Sequence, residues 1–406
     1  MRRAFGRILF LSLLSLGCVR SASAGIYLFQ QIDMPNSTST ALHGINDADE
    51  IVGSFTTANG TSGLVLSGGM FTPINVTGDT VTVAYGINND SQIVGYFNDA
   101  NGTHGFISSL PDLMAGNFAQ IDFPSSVSTV AYGVDNHGEV VGSYANANHQ
   151  SHSYLRAAGI RQLPIGDAAF GINDTGWIVG LDPAIDDGLL WKKNATMFTT
   201  VHFPGSTVTL TYGINNLRQI VGTFRTGSQI HLGHGFIAHA SPLGKVGSFL
   251  QLDFPGRAPT IPYGINNAGK VVGQIGIEPS HGFLARPLHV STPAQVNLDG
   301  ILHSQQVTHV TFFSTADFDA ASILPATVRF GVLDISGPAP SGATPTQVVV
   351  KDVNHDGRKD LLLYFNVGDL GLQCADTIVS LEGQTNADGP IGGQAPIKVR
   401  CKPEEE

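Results

Sequence analysis

The chain has 406 residues, long enough for two independent cores, with 42% hydrophobic residues, 13% charged residues, 49 glycines and a net charge of −11. So few charges exclude a surface of salt-bridged helices and fit an exported β protein. The acidic balance disfavours nucleic acid or an anionic membrane as a partner.

Arg2, Arg3 and Arg7 precede an apolar run from Ile8 to Leu16 and small residues ending in Ala22, Ser23 and Ala24, the layout of a secretory signal peptide over residues 1–24. The run is too short to span a bilayer, so no transmembrane segment is expected and the mature chain should be secreted, with the periplasm as the lesser alternative. Cys18 follows Leu16 and Gly17 as a lipoprotein site would, but Ser15 stands where that signal has leucine, so cleavage after Ala24 is preferred to a lipid anchor. Cleavage there removes four of the 21 basic residues and none of the 32 acidic ones, leaving a net charge of −15.

From residue 25 to 287 one element recurs six times. It reads Tyr85-Gly86-Ile87-Asn88-Asn89, then Gln92, then Ile93-Val94-Gly95, and its glycines are Gly44, Gly86, Gly133, Gly171, Gly213 and Gly264, a mean spacing of 44. His43, Tyr85, Tyr132, Phe170, Tyr212 or Tyr263 precedes each glycine. Two further runs lie between these elements: Ile121-Asp122-Phe123-Pro124 with its counterparts, and His104-Gly105-Phe106, repeated at His234 and His281. Four short extended runs per repeat are the strands of one propeller blade, so six repeats predict a six-bladed β-propeller. Intervals of 38 to 51 residues are too uneven for the rungs of a β-solenoid.

The pair after each apolar Ile or Val of the Tyr-Gly-Ile element is always Asn or Asp, which favours tight turns because these side chains bond their own backbone. Gly138, Gly176 and Gly269 follow where a hairpin needs a left-handed residue, whereas Asp49, Ser91 and Arg218 fill that slot in the other copies and predict mild strain or a different turn. The next strand ends on Gly53, Gly95, Gly142, Gly180, Gly222 or Gly273, which suggests that this strand lies at the crowded centre of the ring. The alternating Tyr-Gly-Ile-Asn-Asn, Ile-Val-Gly and His-Gly-Phe elements of residues 26–287 resemble the bacterial extracellular repeats of the HAF family. That resemblance implies export and a propeller-like fold, and brings no activity and no catalytic residues with it.

Residues 288–406 lack the repeat and read as seven short strands: Gln295 to Asp299, Val307 to Ser314, Ala326 to Leu333, Gln347 to Val353, Asp360 to Asn366, Thr377 to Glu382 and Ile397 to Cys401. This predicts a small immunoglobulin-like β-sandwich, with the Pro-rich segment from Gly337 to Pro345 as a loop. The fold class is therefore all-β, a six-bladed propeller followed by a sandwich. Within the second domain, Asp352, Asn354, Asp356 and Asp360 occupy positions 1, 3, 5 and 9 of a calcium-type loop, Gly357 takes position 6, and the Arg358 carbonyl would serve position 7. Leu363 replaces the glutamate that a helical calcium hand carries at position 12, and the segment is similar to the shorter loops of integrin-type and dockerin-type repeats. Structural calcium is expected there, against the plainer alternative of an Asp/Asn-rich turn. Cys374 and Cys401 are the two cysteines left after cleavage and should form a bridge worth roughly 3 to 4 kcal/mol in the chain-entropy account. The run Gly371 to Thr377, with Gly383 and Thr385, resembles a terminal domain of exported bacterial proteins.

Fourteen histidines invite a metal reading, above all His149 with His152 and His231 with His234, but His104, His234 and His281 recur with the repeat and read as packing or turn-bonding residues. Asp33, Asp122 and Asp253 recur likewise and are expected to cap or bond a neighbouring blade. The chain carries no nucleophile elbow, phosphate loop or zinc-protease helix. Two functions stay open: a non-enzymatic binding or scaffold protein for an extracellular protein or glycan, expected to be monomeric, and an extracellular polysaccharide hydrolase or lyase with acids drawn from different blades. A channel lined by repeat-equivalent residues would favour the first, and a cluster of non-repeated Asp, Glu, His and Arg at one mouth the second.

Overall fold

The computed structural model describes residues 25–76, 81–182, 184–227, 233–256, 259–292, 295–297, 306–332, 342–386 and 389–401. Residues 1–24, where the signal peptide is expected, with Cys18, and also His231 and most of the Pro-rich loop, lie outside the described residues.

Six antiparallel four-stranded blades surround one axis. Their inner strands are Ser39–Ile45, Val81–Ile87, Ser128–Val134, Ala168–Ile172, Val208–Ile214 and Thr260–Ile265. The second strand of every blade is buried on both faces, which is why the two residues before its glycine, Ile-Val or Val-Val, are both aliphatic. Ile93 packs with Val52 of the blade before it, whereas Val94 packs with Ala131 and Val140 of the blade after it. The same alternation of Ile or Val builds one apolar core between each pair of blades, and Val272 of the sixth blade closes the circle against Leu42 and Ile51 of the first. Each such side chain contributes about 1.5 to 3 kcal/mol of burial.

The inner strands, not the Ile-Val-Gly strands, occupy the centre. A methyl group added to Gly44, Gly86, Gly133, Gly171, Gly213 or Gly264 would lie 2.5 to 2.8 Å from the carbonyl oxygen of the aromatic residue or histidine in the next blade, so the strands meet backbone to backbone at the axis. Gly95 and its counterparts have a different reason: a methyl there would strike the carbonyl of the inner strand of the same blade, as with Val83 O at 1.9 Å. The expected glycine crowding is real, but in the second strand it comes from a bulge in its own partner. The register of every inner strand slips by one residue at the aromatic position, as between Ala84 and Gly86. The bulge adds an unpaired residue there and re-aims its side chain.

The turn between inner and second strands is the same in all six blades. Asp49, Ser91 and Arg218 adopt φ of 63°, 56° and 61°, matching 73°, 76° and 76° at Gly138, Gly176 and Gly269. The non-glycine copies carry the strain that the sequence implied, about 1 kcal/mol each.

The sixth blade is completed by the first described strand, Gly25–Ile32, paired antiparallel with His281–Pro287. The opposite edge of this strand pairs with Pro390–Pro396 of the second domain, and the sheet continues through Ile378–Gln384 to Arg329–Gly331. Strand alternation divides its side chains between two cores. Tyr27 and Phe29 enter the sixth blade with Phe254 and Phe283, whereas Ile26 and Leu28 enter the sandwich with Phe312, Leu363 and Phe365. The facing sheet of the sandwich runs Val290–Ser291, Val307–Phe312, Asp360–Asn366, Gln347–Lys351. Sequence periodicity missed Pro390–Pro396, whose two prolines and two glycines hide a strand that holds the two domains together. The expected Cys374 to Cys401 bridge is present.

Candidate functional site

The bulge at each inner strand turns its aromatic residue toward the axis. His43, Tyr85, Tyr132, Phe170, Tyr212 and Tyr263 form a closed hexagon with neighbouring ring centroids 4.7 to 5.4 Å apart. His43 is the one titratable imidazole of this hexagon, and burial pulls its pKa down to about 3, so it is neutral.

Above the hexagon, on the face carrying the Asn/Asp turns, two concentric rings of hydrogen bonds link the blades. The first Asx of each turn uses its Oδ1 to accept backbone N–H groups of its own turn, as Asn46 does from Ala48 and Glu50 at 3.0 and 2.9 Å. Its amide donates to the matching carbonyl of the next blade: Asn46 to Asn88, Asn88 to Asp135, Asn173 to Asn215, Asn215 to Asn266 and Asn266 to Asn46, at 2.8 to 3.1 Å. The second Asx closes a full circle of six. The backbone N–H of Asp47, Asn89, Asn136, Asp174, Asn216 and Asn267 each donates to the side-chain Oδ1 of the next, at 2.8 to 2.9 Å. A shallow axial well of about 70 Å³ is lined by these turn residues of all six blades. Burial opposes ionisation of Asp47, but the Asn267 backbone and the Asn89 and Asn267 amides outweigh it and hold this carboxyl below the usual carboxylate range.

The symmetry breaks between blades three and four. Asp135 replaces the first asparagine, and its side chain is 1% exposed. Burial pushes its carboxyl above the usual range, partly offset by the Glu139 and His137 backbone amides. Beside it opens a recess of about 410 Å³ lined by His137, Glu139, Asp174, Thr175, Lys192 and Lys193. Lys193 Nζ bonds both carboxylate oxygens of Glu139, and Lys192 Nζ lies 5.1 Å from the centre of the Trp177 ring and donates to the Thr175 carbonyl. Reading the repeats as equivalent concealed this cluster. Its signal was the one aspartate among six first Asx positions.

The opposite ends of the blades carry the recurrent histidines. His104, His234 and His281 place Nδ1 2.9, 2.7 and 2.9 Å from Asp122, Asp253 and Asp33, each at the start of a third strand facing the outer strand of the same blade. These aspartates therefore bond within their own blade, not across to a neighbour. Asp99 also lies 3.3 Å from His104 Nε2. The hydrogen bond that His234 donates to Asp253 raises the His234 pKa, against the opposing effect of burial. Blade four swaps the pair, with His202 on the outer strand and Asp187 on the third at 2.7 Å. His152 is the counterpart of His104 in blade three, opposite Tyr144 as His104 is opposite Phe97, but its Nδ1 faces Gln162 Nε2 at 3.4 Å in place of an aspartate, and its Nε2 lies 3.2 Å from Asn146 Nδ2; His149 lies in the turn before that strand.

In the second domain Asp352 accepts the backbone N–H groups of Asp356 and Gly357 at 3.2 and 3.0 Å, Asn354 accepts that of Asp356 at 3.2 Å, and Asp356 accepts that of Arg358 at 2.8 Å. His355 and Gly357 take φ of 61° and 86°, so the segment coils tightly with these three side chains on one solvent-facing loop. Asp360 is fully buried and turns its oxygens to the amides of Ser314 and Val353, 3.0 and 2.8 Å away.

No family model matches the chain, and no curated protein matches it significantly. Several solved structures are similar to it. TolB from Acinetobacter baumannii is 12% identical with a TM-score of 0.41, the match covering 63% of this chain and 65% of that one, just under two thirds of its length. YCF48 from Cyanidioschyzon merolae is 9% identical over 64% of this chain and 99% of that chain, TM-score 0.39. The Aleuria aurantia lectin AAL in complex with Fucalpha1-6GlcNAc is 11% identical over 64% and 98%, TM-score 0.34. Among the described residues no helix is long and apolar enough to cross a membrane.

Proposed function

We propose that this is an exported, non-enzymatic binding or scaffold propeller of the HAF repeat type, which holds an extracellular protein or glycan on its Asn/Asp turn face. The observation carrying the reading is the closed circle of six Asx residues, which turns the axial mouth into a rigid platform lined by repeat-equivalent side chains. A platform whose polar groups already bond one another is preorganised for binding, since little ordering is left to the ligand. Specificity then belongs where the blades differ, at the recess beside His137, Glu139 and Lys193. Calcium in the Asp352 to Asp360 loop is proposed as a structural ion of the second domain, remote from this face in its role. A glycan and secreted-protein binding screen with the mature chain, scored together with release of reducing sugar, tests the reading. Binding without turnover supports it, and turnover of a polysaccharide overturns it in favour of the hydrolase or lyase.

A further inference from the structure

In five blades the first Asx is an asparagine whose Nδ2 donates to the next blade. Asp135 sits at the sixth such position and has no hydrogen to give, so the Asn173 carbonyl lacks the amide that its five counterparts receive. Asp135 Oδ1 is satisfied by the backbone N–H groups of His137 and Glu139, both at 2.9 Å. Its Oδ2 meets one donor among the described residues, His137 Nδ1 at a long 3.4 Å. A carboxylate oxygen in a side chain 1% exposed, placed where the fold elsewhere puts a donor, needs a positive partner. Lys193 does not supply it, because it is bound to Glu139.

We propose that this partner is a divalent first-row cation of the zinc or manganese class, held by Asp135 Oδ2, His137 Nδ1 and Asp174. The ligand atoms of these three side chains lie within 4.8 Å of one another. Two carboxylates and an imidazole suit such a cation better than calcium, which takes oxygen ligands. Asp174 has capacity for it: its Oδ1 accepts the Asn136 backbone N–H and its Oδ2 accepts the Asn136 and Asn216 amides, leaving one lone pair of four on Oδ1. The Asn136 backbone and side chain thus orient Asp174 as an outer partner orients a ligand. His137 is 65% exposed and borders the open recess, so the remaining coordination positions face solvent and can take an oxygen donor from a bound molecule. The site stands independently of whether the turn face is the binding surface.

The test uses the mature chain carrying Asp356→Ala, which removes the second-domain loop as a competing site. After EDTA treatment and dialysis it is titrated with zinc or manganese chloride by calorimetry, and bound metal is counted by elemental analysis. The site predicts one equivalent, weakened at least about 100-fold by Asp135→Asn, a loss at or above what removal of a mere outer partner costs. His137→Ala should weaken it as well. Asp135→Asn installs the residue of the other blades, so it folds, and its thermal midpoint without metal should be no lower than that of the parent. No bound equivalent, or binding untouched by Asp135→Asn and His137→Ala, overturns the proposal.

Discussion

Asp47 and Asp174 stand three blades apart on the six-membered Asx circle, and one oxygen of each carboxylate gathers the side-chain amides of both flanking blades. Asn89 and Asn267 reach Asp47 Oδ2 at 2.8 and 2.7 Å, and Asn136 and Asn216 reach Asp174 Oδ2 at 2.7 and 2.6 Å. The ring therefore has two carboxylate clasps joining three blades each.

Asp47→Ala removes the acceptor of three hydrogen bonds and should lower stability by about 2 kcal/mol in chemical denaturation. The Asp47 carboxyl is held below its usual range, so its contribution is complete above the unfolded-state value near pH 4 and is lost as pH falls through the lower folded value. Wild-type and Asp47→Ala stabilities should converge on acidification. A gap that persists at the acid end would contradict this.

Asp135→Asn should act in the opposite sense. The folded pKa of Asp135 is raised, so below the unfolded value the residue is protonated in both states and costs nothing; as pH rises from there through the folded value, the unfolded chain ionises first and stability drops. In EDTA the variant should exceed the parent by about 1 kcal/mol at neutral pH, the worth of one restored amide bond, with the advantage shrinking as pH falls toward 4. A variant less stable than the parent at neutral pH would show that Asp135 has a favourable partner this account omits.

Gly133→Ala should be among the most damaging single substitutions in the propeller, costing about 3 kcal/mol or more. The new methyl would lie 2.8 Å from the Phe170 carbonyl oxygen and 3.1 Å from the Gly171 Cα, both backbone atoms that cannot move without opening the ring. Gly159→Ala, with nothing near its added methyl, is the control and should change the thermal midpoint little.

Calcium should raise the thermal midpoint of the second domain, and Asp356→Ala should remove the rise. The measurement belongs on the mature chain, because Ile26 and Leu28 supply part of the sandwich core and an isolated segment 288–406 would lack them. Equal midpoints in EDTA and in calcium would leave the loop as a turn held by its own Asx bonds.

Much of this architecture was legible because six copies multiply weak signals. One Tyr-Gly-Ile-Asn-Asn segment is a weak strand and turn, but six at a mean spacing of 44 define a ring, and the left-handed turn residue could be located even at Arg218. Which strand lies innermost was not legible, since both of the first two strands carry a glycine that has no room for a side chain, and only the register slip tells the axial contact from the bulge. The sharing of Gly25–Ile32 between two cores was hidden for a related reason: a strand buried on both faces loses the polar alternation that would announce a partner on each side. The Asp135 cluster is the converse, a departure of one atom type from the repeat, whose meaning depends on knowing where the asparagine amide points in the other five blades.

The most direct test of the central claim compares the two faces once the binding screen has yielded a ligand. Affinity is measured for the mature chain, for a His137→Ala, Lys193→Ala double variant on the turn face, and for His104→Ala on the opposite face, with product formation followed in parallel. The account predicts a loss of at least tenfold, about 1.4 kcal/mol, in the turn-face variant, no change in His104→Ala, and no product from any of them. A loss confined to His104→Ala, or turnover of the ligand, would contradict it.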